Sequence, residues 1–386
     1  MSDARSNAID VPEVGAVGIR LEGLTVRDVE AAKQDFWSRL RDLELEKYVQ
    51  TTDDHGADPP GVGFRLWADL AEDLAPAGDT TRLCEKLRLD TTADLRDLEQ
   101  EILLALLRSP IPYVFPSYGE LASAVRIRMN IVEATRKTGM TFGTGEAVRP
   151  TDYWRYDEDQ GFLLVPGQSL VTALRVATQP GGSETTYTFS CRRAVEFIVL
   201  LAVAEELQTC NPDLYRKLTQ QFQTRAIKGE EFETVFLRPI GSASKPFPLW
   251  FFVPGDWVWF KNPDPVSAEI PGFEGSHTIY LGGGLVPDFW SEGETSHLTM
   301  KYLRIFYWRQ GVFKDAQGEL QMDDVKAEDL AQQVLGDPTE VERILQEMVH
   351  LQGPRGEVGY GCIEPTRDFQ RLVCPGTADL VLPEGA

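Results

Sequence analysis

The segment TFSCRRAVEFIVLL, Thr188–Leu201, sets a single thiol, Cys191, in front of a run that is apolar at nearly every position. Ala194, Val195, Phe197, Ile198, Val199, Leu200 and Leu201 are interrupted only by Glu196. A helix apolar on all sides is packed on several faces. Cys191 falls in the first turn of that predicted helix. There, unpaired backbone N–H groups and the positive end of the macrodipole favour an ionised sulfur. Arg192 and Arg193 add positive charge in sequence. Such a thiol is suited to nucleophilic chemistry, and the same N–H groups could serve as an oxyanion hole. Free cysteine is also among the most buried residue types, so the position alone leaves packing and catalysis both open.

The elements that must position this thiol follow from pattern and punctuation. Val26–Val49 reads as a charged amphipathic helix, ended by the Asp-, Pro- and Gly-rich loop Thr51–Gly63. A second helix ends at Arg108 before a proline. A third starts at Ser117, with Glu120 completing an S-x-x-E capping box and Gly139 as the closing residue. Gly161–Pro166 reads as a strand and Ser169–Ala177 as a short helix before the Cys191 helix, which runs to about Leu207. Strands are then expected at Thr234–Pro239, Asp256–Lys261 and His277–Leu281. The segment HLTMKYLRIFYWRQG fits strand and helix alike. Two helices between Asp324 and Gln352 are split at Asp337-Pro338, and residues beyond Gly353 read as irregular. The expected class is α+β, helices first and an antiparallel sheet later.

Composition excludes several functions. With a formal net charge of −22 over 386 residues, the surface repels phosphate backbones and draws cationic partners such as lysine-rich surfaces or polyamines. No nucleic-acid partner is expected. The opening MSDARSNAIDVPEVG carries no secretory pattern, and no apolar run reaches the ~18 residues of a membrane span. Cytoplasmic residence without membrane contact is the expectation. Five scattered cysteines and four histidines suggest neither a disulfide framework nor a metal site. The glycine turns Gly143–Val148 and Leu281–Val286 lack nucleotide-binding spacing.

A second stretch bears on the thiol. Pro254-Gly255-Asp256 launches an apolar strand, and a second apolar strand ends at Leu281 in a glycine turn. This layout resembles the papain-like NlpC/P60 fold, in which a helix-capping cysteine packs on an antiparallel sheet. The sequence is more closely similar to the bacterial spore-coat protein-glutamine γ-glutamyltransferases. The resemblance is carried by RMNIV (Arg128–Val132), YWR (Tyr153–Arg155), YTFSC (Tyr187–Cys191), GDWVWFKNPD (Gly255–Asp264) and GSHTIYLG (Gly275–Gly282). It covers a core over residues 95–310; residues 1–94 and 311–386 have no counterpart in it and are read as helical additions. It also implies Cys191 as a nucleophile that forms a thioester from a glutamine carboxamide and passes the acyl group to a lysine or polyamine amine. The family requires no cofactor.

The sequence departs from that family at three positions. Ser190 and Ser276 stand where the family carries glutamates, the second of them its base, and Phe289 stands near the family histidine. A serine hydroxyl cannot take a thiol proton near neutral pH. Three residues could stand in: His277 if a β-bulge at Gly275–Ser276 re-aims it, Glu274 on the face of Ser276, and Asp288 as an orienting group. Trp257, Trp259 and Trp290 are candidate walls of a substrate site, and an indole there would exclude water, so Trp257→Ala should raise hydrolysis relative to transfer. The reading is a transglutaminase-like acyltransferase. A base-less binding or scaffold protein and a cysteine amidase or peptidase remain the alternatives, and the oligomeric state is not legible.

Overall fold

A computed structural model describes residues 17–54, 56–143, 147–181, 185–242, 244–350 and 362–383, with 349 and 350 as backbone alone. The opening fifteen residues, part of the Gly143–Val148 turn and the stretch from 351 to 361 read above as helix end and irregular chain lie outside the described residues.

The chain begins with a sheet. Strand β1 (Ile19–Glu22) leads to helix α1 (Val26–Asp42), where Thr25 and Asp28 form a complete capping box. Residues Val29, Ala32, Phe36 and Leu40 are the buried stripe of α1. The helix stops short of the predicted Val49, because Glu44 turns to a positive φ of 58°. Strands β2 (Val49–Asp54) and β3 (Gly61–Leu66) then pair antiparallel, Val49 opposite Leu66 and Asp54 opposite Gly61. The predicted loop Thr51–Gly63 is therefore mostly hairpin, its turn residues occupying only the tip.

Helices α2 (Ala68–Leu74), α3 (Leu83–Leu87) and α4 (Leu95–Arg108) follow. Strand β4 (Tyr113–Phe115) pairs parallel to β1 and completes the order β2-β3-β1-β4. The extension expected to be helical over residues 1–94 thus carries three strands, and its sheet is closed by a strand from beyond residue 94.

Helix α5 (Tyr118–Arg136) starts where expected, with Ser117 Oγ accepting the Glu120 N–H at 3.2 Å. The Glu120 carboxylate does not complete the box. It accepts instead from the N–H groups of Val373 and Cys374 at 3.1 and 3.0 Å, clamping the C-terminal segment. The helix closes at Lys137, and the Gly139 N–H donates to Thr178 O.

Strand β5 (Thr141–Phe142) precedes the hairpin of β6 (Trp154–Asp157) and β7 (Gly161–Leu164). Helix α6 (Leu170–Thr178) leads to β8 (Thr188–Phe189), which pairs parallel to β5 and delivers the chain to α7 (Cys191–Cys210). Helices α8 (Pro212–Thr224) and α9 (Glu230–Phe236) come next. The strand predicted from Thr234 begins only at β9 (Leu237–Ile240), because Glu230, Glu231 and Glu233 suit the first turn of a helix.

The later part is pairs of strands separated by helices, which corrects the expectation of helices first and one sheet after. Strands β10 (Trp257–Lys261) and β11 (Gly275–Ile279) pair antiparallel, followed by the hairpin of β12 (Leu285–Pro287) and β13 (Thr295–His297). The ambiguous segment is helix α10 (Leu298–Gly311). Hairpin β14 (Val312–Lys314) and β15 (Leu320–Met322), helices α11 (Asp324–Val334) and α12 (Pro338–His350), and strand β16 (Arg367–Gln370) end the described chain. The C-terminal addition is therefore mixed, and β16 returns to pair with β9.

The β10–β11 pair divides two hydrophobic cores. Trp257 and Ile279 belong to the core of α4, α5, α6 and α7. Val258, Phe260 and Tyr280 belong to the core of α10, α11 and α12. The molecule is α+β, with the thiol helix and α10 on opposite sides of one short strand pair.

Candidate active site

Cys191 is fixed by its helix. Ile198, Val199, Leu201, Ala202 and Leu207 of α7 are sealed from solvent, and burying each large aliphatic side chain stabilises the fold by roughly 1.5–3 kcal/mol. Ser190 is the N-cap, its Oγ accepting the Arg193 N–H at 3.4 Å. The first-turn N–H groups of Cys191 and Arg192 have no intrahelical acceptor. The neighbouring arginines do not aim at the sulfur. Arg192 pairs with Glu233 at 2.6 Å, and Arg193 pairs with the buried Glu196. Arg149 packs on the segment that precedes the thiol, its guanidinium 3.4 Å from the centre of the Phe189 ring and bonded to Thr188 O.

Cys191 is half-buried, and its Sγ makes no hydrogen bond among the described residues. It opens on a cavity of about 550 Å³, within the usual size of small-molecule sites. Three walls meet there. Ser276 and Thr278 come from β11, Asp288, Phe289 and Trp290 follow β12, and Lys301, Arg304 and Trp308 come from α10. Phe142 packs edge-on against Trp290, with ring centres 5.2 Å apart. Among the described residues no group of acidic, histidine and cysteine side chains could hold a metal ion.

The candidate residues separate. The register of β10 and β11 is unbroken from Lys261 opposite Gly275 to Trp257 opposite Ile279. The bulge at Gly275–Ser276 that would re-aim His277 is therefore absent. Gly275 is held in register by close packing, since a Cβ there would lie 2.4 Å from both Phe260 O and the Trp259 ring. His277 consequently pairs with Trp259, and its Nδ1 accepts the Trp257 indole N–H at 2.9 Å. Burial and the charge of Arg192 push its pKa down to about 3. Its hydrogen bond goes to the indole and not to the thiol. Glu274 is exposed and accepts the Gly272 N–H at 3.0 Å. His277 and Asp288 both line the thiol cavity, Asp288 Oδ1 accepting the Trp290 N–H at 3.0 Å. Trp290 lines the same cavity, whereas Trp257 and Trp259 line an adjacent one of about 400 Å³ with Arg192 and Asp368.

Thr278 and Lys301 are among the polar residues of the thiol cavity that escaped the sequence reading. Thr278 Oγ1 is buried without a hydrogen-bond partner among the described residues. Lys301 faces the cavity from the first turn of α10. Its signal was present in the spacing of Lys301, Arg304, Ile305 and Trp308, one face of a helix, but the segment was undecided between helix and strand.

A family model described as protein-glutamine gamma-glutamyltransferase matches residues 80–306, more than half of the chain. The chain belongs to that family. A transglutaminase-family relative from Halalkalibacterium halodurans, itself named protein-glutamine gamma-glutamyltransferase, is 26% identical over 204 residues, 51% of this chain and 65% of the relative. One of the same name from Bacillus subtilis is 28% identical over 187 residues, 47% of this chain and 69% of the relative. This chain thus spans under two thirds of the first relative's length. A solved transglutaminase from Geobacillus stearothermophilus, without its C-terminal extension, aligns at 21% identity with a TM-score of 0.37, over 56% of this chain and 98% of that one.

Within the transglutaminase-family segment, the motifs are largely scaffolding around the thiol. Arg128 of RMNIV and Asp256 of GDWVW are fully buried and bonded at 2.8 Å, joining α5 to the turn before β10. Trp154 of YWR donates to Ala173 O at 3.0 Å. Asn262 donates to Ser267 Oγ and Phe273 O at 2.9 and 2.7 Å, folding the connection that returns the chain to β11.

Proposed function

We propose that the chain is a thiol-dependent protein-glutamine γ-glutamyltransferase, with a papain-like NlpC/P60 core over residues 95–310 and cytoplasmic residence. The architecture that supports this reading is α7 lying against β11 of an antiparallel pair, its first residue a cysteine. The observation that carries it is a half-buried thiol at a helix N-terminus inside the family-matched segment, opening on a 550 Å³ cavity. Cys191 Sγ attacks the carbon of a glutamine carboxamide, and the first-turn N–H groups of α7 receive the developing oxyanion. Ammonia leaves and a thioester remains. A lysine or polyamine amine then displaces the sulfur to form an amide, while water would give glutamate. Phe142 and Trp290 flank the approach and limit water. No helix among the described residues is long and apolar enough to cross a membrane.

The test is ammonia release from a protected Gln-Gly dipeptide, with and without methylamine. The expected result is ammonia release with methylamine incorporation, both lost in Cys191→Ala. Amine-independent hydrolysis would assign an amidase. A second reading, a binding or scaffold protein, is favoured by one observation: no carboxylate or imidazole is hydrogen-bonded to Cys191 among the described residues. Absence of ammonia from the wild type decides for that reading.

A further inference from the structure

The face of α10 toward the thiol cavity carries two cations in different circumstances. Arg304 is held by α11, with Nε 2.6 Å from Glu328 and Nη2 3.4 Å from Asp324. The Nζ of Lys301, one turn closer to the helix N-terminus, makes no hydrogen bond or ion pair with a described residue, although Lys301 lines the same cavity as Cys191. The positive end of α10 and the neighbouring Arg304 both disfavour its ammonium form. Burial is the larger cause, and together with Arg304 it brings the pKa down to about 8. Cys191, Asp288 and Asp324 lie close enough to act on it electrostatically in the opposite sense.

The other titratable groups around the cavity are engaged elsewhere or acidic. From α11, Asp324 and Glu328 hold Arg304. From β11, His277 serves the Trp257 indole. From the β12–β13 hairpin, Asp288 and Glu294 bear carboxyl groups facing the cavity. An amine with a flexible four-carbon stem, no fixed partner and a depressed proton affinity is the group in this set best fitted to exchange a proton with a thiol near neutral pH.

We propose that Lys301 is the proton acceptor that turns Cys191 into a nucleophile, an assignment that rests on the reading of Cys191 given above. The neutral Nζ takes the proton from Sγ–H, leaving a thiolate beside an ammonium. The thiolate forms the S–C bond at the glutamine carbonyl carbon. As the C–N bond breaks, Lys301 returns the proton to the departing nitrogen, which leaves as ammonia, and the amine is neutral again. In the second half the incoming amine gives its surplus proton to Lys301 as it displaces the sulfur, and Lys301 hands that proton to the released thiolate. The cycle closes with no net proton on the protein. Asp288 steadies the ammonium while it exists.

Two readouts on the full chain test this. One is the pH dependence of Cys191 alkylation by iodoacetamide, followed by peptide mass spectrometry. The other is ammonia release from the Gln-Gly dipeptide. Lys301→Met is expected to shift the half-maximal alkylation pH upward by about one unit or more and to lower ammonia release by about 100-fold or more. Lys301→Arg keeps a cation beside the sulfur but cannot accept a proton, so it is expected to retain the wild-type alkylation profile while losing turnover. Wild-type alkylation and turnover in Lys301→Met would overturn the assignment. Where methionine is not tolerated by the fold, Lys301→Arg decides, because wild-type turnover in that variant also overturns it. A wild type that releases no ammonia refutes the transferase reading separately, and the alkylation shift still decides whether Lys301 and Cys191 are coupled.

Discussion

His277 shows what a single residue's environment does to a plausible role. Strand alternation places it on the face opposite Ser276, and the unbroken register keeps it there. Its ring nitrogen is then used as an acceptor for Trp257, which favours the neutral form. With a folded pKa near 3, below the unfolded value of about 6.5, the unfolded chain binds the extra proton between those limits. The contribution to stability is therefore complete above about pH 6.5 and is lost as pH falls toward 3. In urea unfolding, His277→Gln, which keeps an acceptor but does not titrate, is expected to flatten this decline by up to about 1.4 kcal/mol per pH unit. Identical acid slopes for the two proteins would remove His277 as a cause.

At the scale of elements, Arg128 and Asp256 decide how α5 and β10 meet. Arg128 Nε and Nη2 have no hydrogen-bond partner among the described residues, and its Nη1 reaches Asp256, Val253 O and Pro254 O. Removing Asp256 strands a buried guanidinium, so Asp256→Ala is expected to cost about 3–5 kcal/mol. Asp256→Asn retains an acceptor for the Val253 N–H and should cost less; both are read from denaturant midpoints. The legibility of the elements followed similar physics. The thiol helix was readable because its apolar run has one interpretation. The β2–β3 hairpin was not, because its strand ends carry Asp and Gly that read as loop. Lys301 was invisible as a site residue because aromatic and branched residues in Leu298–Gly311 fit a strand as well as a helix, and only the helical period exposes its face. The dispersal of short strand pairs reflects long-range partners that no local pattern announces, as with β9 and β16.

Across the whole molecule, the family-matched segment depends on what flanks it. Phe369 of β16 lies 4.9 Å from the Tyr113 ring, and the Arg128 guanidinium lies 4.6 Å from the Phe369 ring centre. β1 covers β4 from the other end. A fragment limited to residues 80–306 would bare Tyr113, Phe115 and the Arg128 guanidinium together. It is expected to bind a hydrophobic dye and to melt without a cooperative transition, whereas the full chain unfolds cooperatively; a sharp calorimetric peak from the fragment would contradict this. The clamp of Glu120 on Val373 and Cys374 adds a matter of timing. Those tail residues leave the ribosome after all the strands and helices they cover, so the packing around Arg128 is finished only once β16 and the segment behind it have emerged. Until then the half-made protein exposes aromatic surface to whatever chaperones attend its birth.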